Sequence, residues 1–168
     1  MWNRLAVLAS AIVLSLSAYG GDGAAAFVKR MECFKGSTYR DSGGRMTIGY
    51  GCTSSEMVGK GRVSRGTAAQ AVFKECQRIS GLLHREFGGQ LLEHEEIALV
   101  SFVYNVGWTG FCRSRMYRLL KAGHRGKRVA DEFGRWVYFT RWGRKFKSEG
   151  LCIRRNAEAQ MFMYGRVA

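Results

Sequence analysis

Glu32, Asp41 and Thr47 are the residues whose types and spacing offer bond-breaking chemistry, the second acid standing nine positions after the first and the hydroxyl six beyond that. Two carboxyl groups facing one bond are the minimum equipment for cleaving a glycosidic linkage. One delivers a proton to the leaving oxygen while the other activates or steers the incoming nucleophile. A Glu and an Asp this far apart in sequence are ordinarily two solvated surface charges. They do chemistry only if the elements around them bring both to one place.

The local patterns allow that. Ala24 to Cys33 is a short helical stretch with Phe27, Val28 and Met31 on one side, which puts Glu32 near a helix C-terminus. After Gly36 the period changes, and Ser37–Asp41 and Arg45–Tyr50 read as two strands joined at Ser42-Gly43-Gly44, where glycine permits positive φ. A three-residue loop sets Asp41 opposite Arg45 and places Tyr39, Asp41 and Thr47 on one face of the hairpin. A two-residue loop would turn Thr47 to the other face, because a one-residue slip inverts every side chain. The longer loop is the one expected here. Cys52 to Arg62 reads as loop. Ser64 to Phe87 reads as one helix, capped by Ser64 or Thr67, with Ala68, Val72, Cys76, Ile79 and Leu83 at helical spacing. Leu91 to Val106 is the most apolar helical pattern, with Glu93, Glu95 and Glu96 in its first turns, where the helix dipole favours acids. Further helices are expected over Arg113–Ala122, Val129–Val137 and Cys152–Tyr164.

Glu32, eight intervening residues, Asp41, five more, and Thr47 followed by Ile48-Gly49-Tyr50-Gly51 resembles the signature of phage-type lysozymes, the endolysin family of the T4 type. The resemblance continues in Ala98 to Gly107 and in Gly150 to Glu158, and so spans roughly residues 24 to 165. It implies an α+β, lysozyme-like fold, in which a small lobe with a β-hairpin and a larger helical lobe are joined by a long helix, with the cleft between them. It also implies roles by position. Glu32 would be the general acid, Asp41 would position or activate the water, and Thr47 would help to hold that water on the far side of the sugar. Tyr104 and Asn105 would line the glycan cleft, and Arg154 or Arg155 would approach Glu32 and orient it, with at least one of the two on a solvated helix face. The bond cut would be the β-1,4 link between N-acetylmuramic acid and N-acetylglucosamine in peptidoglycan, with inversion at the anomeric carbon. Such chemistry needs Glu32 protonated near neutral pH, which burial against Phe34 or Phe102 would favour.

With 168 residues, 46% of them hydrophobic, the chain holds one domain and a short extra segment. Residues 1–22 are that segment, and 23–168 the catalytic domain. Arg4 precedes an uncharged run of fourteen residues from Leu5 to Ala18, followed by small residues at Gly20 and Gly21. A basic start and a short apolar stretch make an export signal, and fourteen residues are few for a bilayer span of about 20. The leader also resembles the signal-anchor-release segment of some endolysins, which enters the inner membrane uncleaved and later slips out. Either version puts the enzyme in the host periplasm, with the inner membrane as a transient partner in the second.

The net charge of +14 lies entirely beyond this segment. From Arg113 to Arg155 fourteen Lys or Arg stand against Asp131, Glu132 and Glu149 alone. Such a surface seeks polyanions, in an exported enzyme wall polymers, lipopolysaccharide or anionic phospholipid. Nucleic acid is not an expected partner, since no nucleic-acid module accompanies the basic stretch.

Five cysteines stand at 33, 52, 76, 112 and 152. Cys33 and Cys52 depart from the residues usual in the family and flank the hairpin, and a bond between them, or from one of them to another cysteine, is the expected restraint on the cleft. His84, His94 and His124 share no ligand spacing, so neither a metal nor another cofactor is expected. The reading is a monomeric muramidase serving host lysis. Its rivals are a lytic transglycosylase, which uses one acid and leaves an anhydro product, and a catalytically dead wall- or polyanion-binding protein.

Overall fold

A computed structural model describes residues 22–41, 43–141 and 143–167. The expected export segment therefore lies, but for its last residue, outside the described residues. The chain enters the description in helix α1, described over 22–31. It then forms the hairpin β1 (Lys35–Arg40) and β2 (Met46–Gly49) and a short helix α2 (Ser55–Gly59). The long helix α3 (Arg65–Phe87) leads into α4 (Glu93–Val106), α5 (Trp108–Arg113), α6 (Arg115–Lys121) and α7 (Lys127–Ala130). A 3-10 turn at Phe133–Arg135, a second hairpin β3 (Tyr138–Arg141) and β4 (Arg144–Lys147), and α8 (Glu149–Tyr164) complete it. No described helix is long and apolar enough to cross a membrane.

The first hairpin has the register of the longer loop. Tyr39 pairs with Thr47 and Arg40 with Met46, and the amide of Asp41 donates to the carbonyl of Arg45 at 3.0 Å. Tyr39, Asp41 and Thr47 thus share a face. Helix α3 begins where expected, Ser64 Oγ accepting from the Thr67 amide at 3.0 Å.

Helix α4 is the centre of the larger lobe. Ala98, Leu99, Val100, Phe102 and Val103 are each at most 1% exposed, buried all round as a helix must be when other helices surround it. It packs chiefly on α8 and α3. Edge-to-face rings build the middle of the core, Phe102 lying 5.4 Å from Phe133 and 6.4 Å from Phe111. Ala24, Ala25 and Val28 of α1 belong to the same core, so α1 is pinned to the helical lobe while its C-terminal end reaches the hairpin. The small lobe buries Ile48 and Met57, and Ala68 at the start of α3 is buried as well. There β2 runs so close to α3 that a Cβ on Gly49 would sit 2.9 Å from that of Ala68.

Four local expectations are corrected. The 52–62 loop contains α2, which Ser54 caps by accepting from the Met57 amide at 3.3 Å. The helix expected over 113–122 is α6, which starts at Arg115 because the Ser114 hydroxyl caps it by accepting from Tyr117 N at 3.0 Å, and the separate α5 before it was not expected. The stretch 129–137 is no continuous helix: Val129, Phe133 and Val137 are all buried, but one α turn and one 3-10 turn serve the same spacing. The basic stretch after Val137, outside every expected element, forms the second hairpin and leaves Tyr138 and Phe146 exposed.

Candidate active site

The catalytic acid proposed from the sequence stands where α1 ends. The Glu32 amide donates the last helical bond, to Val28 O at 3.0 Å, after which the chain turns away and the side chain projects beside the hairpin. Its side chain is 21% exposed, and the carboxyl group sits between two neighbours. Oε1 accepts from Arg154 Nη1 at 2.5 Å. Oε2 faces Gly51, where a Cβ would lie only 3.2 Å away. Gly51 has φ +81°, so its backbone favours glycine independently of that close approach. Phe34 packs on Tyr50, with ring centroids 5.3 Å apart, and Phe102 lies 4.8 Å beneath the Arg155 guanidinium.

Arg154 and Arg155 are 6% and 1% exposed, so neither occupies the solvated face assigned to one of them. Buried guanidinium groups require partners for charge and donors alike. Arg154 donates to Glu32, to Glu158 Oε1 at 3.0 Å and to the carbonyl of Ser101 at 3.1 Å. Arg155 Nη2 donates to Glu158 Oε1 at 3.0 Å and to Asn105 Oδ1 at 3.1 Å. Its Nε lies 2.8 Å from Glu158 Oε2, an ion pair without hydrogen-bond alignment. Glu158 is wholly buried and also accepts from Ser101 Oγ at 2.7 Å. Burial pushes the Arg155 guanidinium down to about 10, still charged at neutral pH. Against burial, Glu158 and Glu32 hold Arg154 above the usual guanidinium range. Two cations and two acids thus form one network that fixes the direction of the Glu32 carboxyl group.

Asp41 stands at the turn of the hairpin. One oxygen, Oδ1, accepts from the amides of Gly43 at 2.9 Å and Arg45 at 2.8 Å, so the side chain closes its own turn. Thr47 is 2% exposed and donates to Arg45 O at 3.0 Å. Tyr39 is a residue to which the sequence assigned a face but no role. Burial, and then the fields of Glu32 and Asp41, push its phenol up.

Tyr104 and Asn105 come to the site by different routes. Tyr104 Oη donates to the carbonyl of Tyr50 at 2.7 Å, joining the end of α4 to the glycine turn beside Glu32. Burial, and then the charge of Glu32, push its phenol up. The Asn105 side-chain carbonyl accepts from Arg155, and the residue is exposed. A groove of about 630 Å³ runs from Tyr104, Gly51 and Cys52 along α3 past Gln70 and Lys74. That volume suits a ligand the size of a small glycan.

The cysteine expectation is corrected. Cys33, Cys52, Cys76, Cys112 and Cys152 are all free thiols, Cys33 exposed and Cys52 beside Ser54 Oγ at 3.4 Å. Sequence reasoning passed over Ser101 and Glu158. The signal for Glu158 was present, since an acid four places after Arg154 and three after Arg155 shares their helix face. Ser101 was visible as the one hydroxyl within the apolar run 97–103.

The phage lysozyme family model matches residues 29–158. An endolysin of Acyrthosiphon pisum secondary endosymbiont phage 1 is 30% identical over 136 residues, covering 80% of this chain and 91% of that one. A SAR-endolysin of Bacteriophage PS119 is 27% identical over 95% of this chain and 88% of its own length. Among solved structures, the endolysin from Escherichia coli O157:H7 phage FAHEc1 superposes with a TM-score of 0.74 at 25% identity, covering 87% of this chain and 94% of that one.

Proposed function

This chain belongs to the phage lysozyme family and is a muramidase endolysin of cell lysis, and from that premise we propose that Glu32, Asp41 and Thr47 carry its reaction on peptidoglycan. Glu32 gives its proton to the glycosidic oxygen that leaves, as the bond to the anomeric carbon opens and positive charge gathers on the sugar. Asp41 keeps Oδ2 to take the proton of the water whose oxygen bonds to the anomeric carbon from the opposite face, because Oδ1 is already occupied by the turn amides. Thr47 spends its proton on Arg45 O and keeps its lone pairs for that water. Attack from the opposite face gives inversion.

The observation that carries this reading is the hold on Glu32. Arg154, itself fixed by Glu158 and Ser101, aims the carboxyl group toward the cleft. Rigid placement of a proton donor supplies a large part of the rate, since small misplacements cost orders of magnitude. Tyr104 and the exposed amide of Asn105 offer a ring face and a donor pair to the glycan.

Residues 1–22 act as the segment that carries the enzyme out, tethered at the inner membrane and then released into the periplasm as a monomer. The name SAR-endolysin borne by relatives that align over 95% of this chain supports that reading.

The test is digestion of purified peptidoglycan by wild type and by Glu32→Gln, with mass spectrometry of the products. Reducing muropeptides from the wild type and a loss of at least about 100-fold in the variant are expected. Anhydro products would assign the chain to the lytic transglycosylases, and an inert wild type would make it a binding protein.

A further inference from the structure

We propose that the face of the second hairpin bearing Tyr138, Lys145 and Lys147 docks the enzyme on the surface of an anionic phospholipid bilayer. The register fixes that face, since Tyr138 pairs with Lys147 and Thr140 with Lys145. All four residues are exposed, Tyr138 at 56%. On its opposite side Phe139 and Phe146 stack on each other, with centroids 5.8 Å apart.

Charge decides what such a face attracts. Several basic residues of the 113–155 stretch are already engaged: Arg115 and Arg135 with Glu132, Lys121 with Glu86, Lys127 with Asp131. Among the described residues no carboxylate pairs with Lys145 or Lys147. Residues 133–148 contain no Asp or Glu at all. Arg113, Arg118 and Arg128 are also exposed without an acidic partner, but no large exposed apolar side chain stands on the helices that carry them. On the hairpin two unpaired cations share one face with an exposed ring, whereas at the end of α8 a single cation, Arg166, stands near the exposed Tyr164.

That coincidence favours lipid over the two other polyanions. Ammonium groups meet phosphates at the headgroup layer while a tyrosine rests there with its ring inward and hydroxyl in water. Reading a glycan calls for side-chain acceptors and amides, and residues 138–147 hold no Asn, Gln, Asp, Glu or His. A single-stranded nucleic acid would stack successive bases on several ring faces, and this face offers one, Tyr138, while Phe139 and Phe146 stack on each other on the other side.

The test uses the full chain, whose N-terminal segment is the same in every variant. Binding to vesicles of phosphatidylglycerol and phosphatidylcholine is compared with binding to phosphatidylcholine alone, by co-sedimentation. Lys145→Gln/Lys147→Gln is expected to weaken partitioning to the anionic vesicles by about 30-fold. Arg118→Gln/Arg128→Gln removes the same charge from helical surfaces and is expected to weaken it by less than about 5-fold. Tyr138→Ala keeps the charge and is expected to weaken it by about 5-fold or more. Activity on soluble peptidoglycan fragments reports that each variant is folded, and should not change. Equal losses from the two double variants, or no loss from Tyr138→Ala, would overturn the proposal. So would a hairpin variant that loses its grip on purified sacculi, or on a single-stranded oligonucleotide, as much as on vesicles.

Discussion

Arg154 Nη1 donates to Glu32 Oε1 at 2.5 Å, joining residues 122 positions apart in the chain, and the same guanidinium reaches Glu158 and the carbonyl of Ser101. The last helix thereby sets the direction of a side chain at the end of the first described one.

A planar guanidinium can bridge two carboxylates and a carbonyl at once, whereas an ammonium is a single point on a flexible stem. Arg154→Lys is therefore expected to keep the fold but lower kcat by about 10- to 100-fold with little change in KM. Steady-state kinetics on soluble glycan check this, and a wild-type kcat would remove Arg154 from the positioning of Glu32.

Glu158 is the sole acid facing both buried guanidinium groups from within α8. Glu158→Gln leaves two buried cations with only Glu32 between them, and breaking a buried pair in this way costs about 3–5 kcal/mol. Thermal and urea unfolding should show a loss of that order, larger than that from Glu75→Gln, whose ion pair with Arg78 is on the surface.

Gly51 combines φ +81° with its approach to Glu32, while Gly123, at φ +80°, has nothing within 4 Å of where a Cβ would be. Both Gly→Ala changes carry a similar left-handed backbone penalty, about 1–2 kcal/mol. Only Gly51→Ala should also depress activity, because its methyl group meets the carboxyl oxygen. Equal activity in the two variants would show that the contact does not matter.

Tyr117 donates to Glu86 Oε2 at 2.7 Å, and Lys121 lies 3.2 Å from the same oxygen. The hydrogen bond from Tyr117, then that from Lys121, hold the Glu86 carboxyl group below its ordinary value, and the bond to Glu86 pushes the Tyr117 phenol up to about 12. The signs are opposite. The carboxylate contributes stability at neutral pH that is lost as pH falls through its lowered folded value. The phenol contributes stability that is full below its ordinary value of 10.0 and lost as pH rises toward about 12. The stability difference between wild type and Tyr117→Phe should hence be flat through neutrality and shrink at both extremes. A difference that does not vary with pH would deny the coupling.

Five thiols should titrate in the unfolded protein, and Cys33 first in the folded one because it is exposed. Burial pushes the Cys76 thiol up to about 12, so it should react only as the core opens. Fewer than five thiols after unfolding without reductant would restore the disulfide that the structure lacks.

What the sequence could settle was local. The Ser64 cap, the apolar period through Leu83 and the Gly43-Gly44 turn each depend on neighbours within a few residues, and the hairpin register followed once the loop length was chosen. The places where it misled share one cause. Val129, Phe133 and Val137 are spaced as on a helix, yet two different short turns bury them equally well, because period reports burial and not hydrogen bonding. Arg154 and Arg155 read as at least partly solvated because charge is costly to bury, and only the return of α8 onto α4 brings Ser101 and Asn105 to offset that cost beside the Glu158 that the same helix already supplies. The sequence by itself therefore determined which chemical groups are present and the local frames that carry them. The tertiary structure decided which charges are buried together, since pairing across more than a hundred residues is set by packing and leaves no mark in any local pattern.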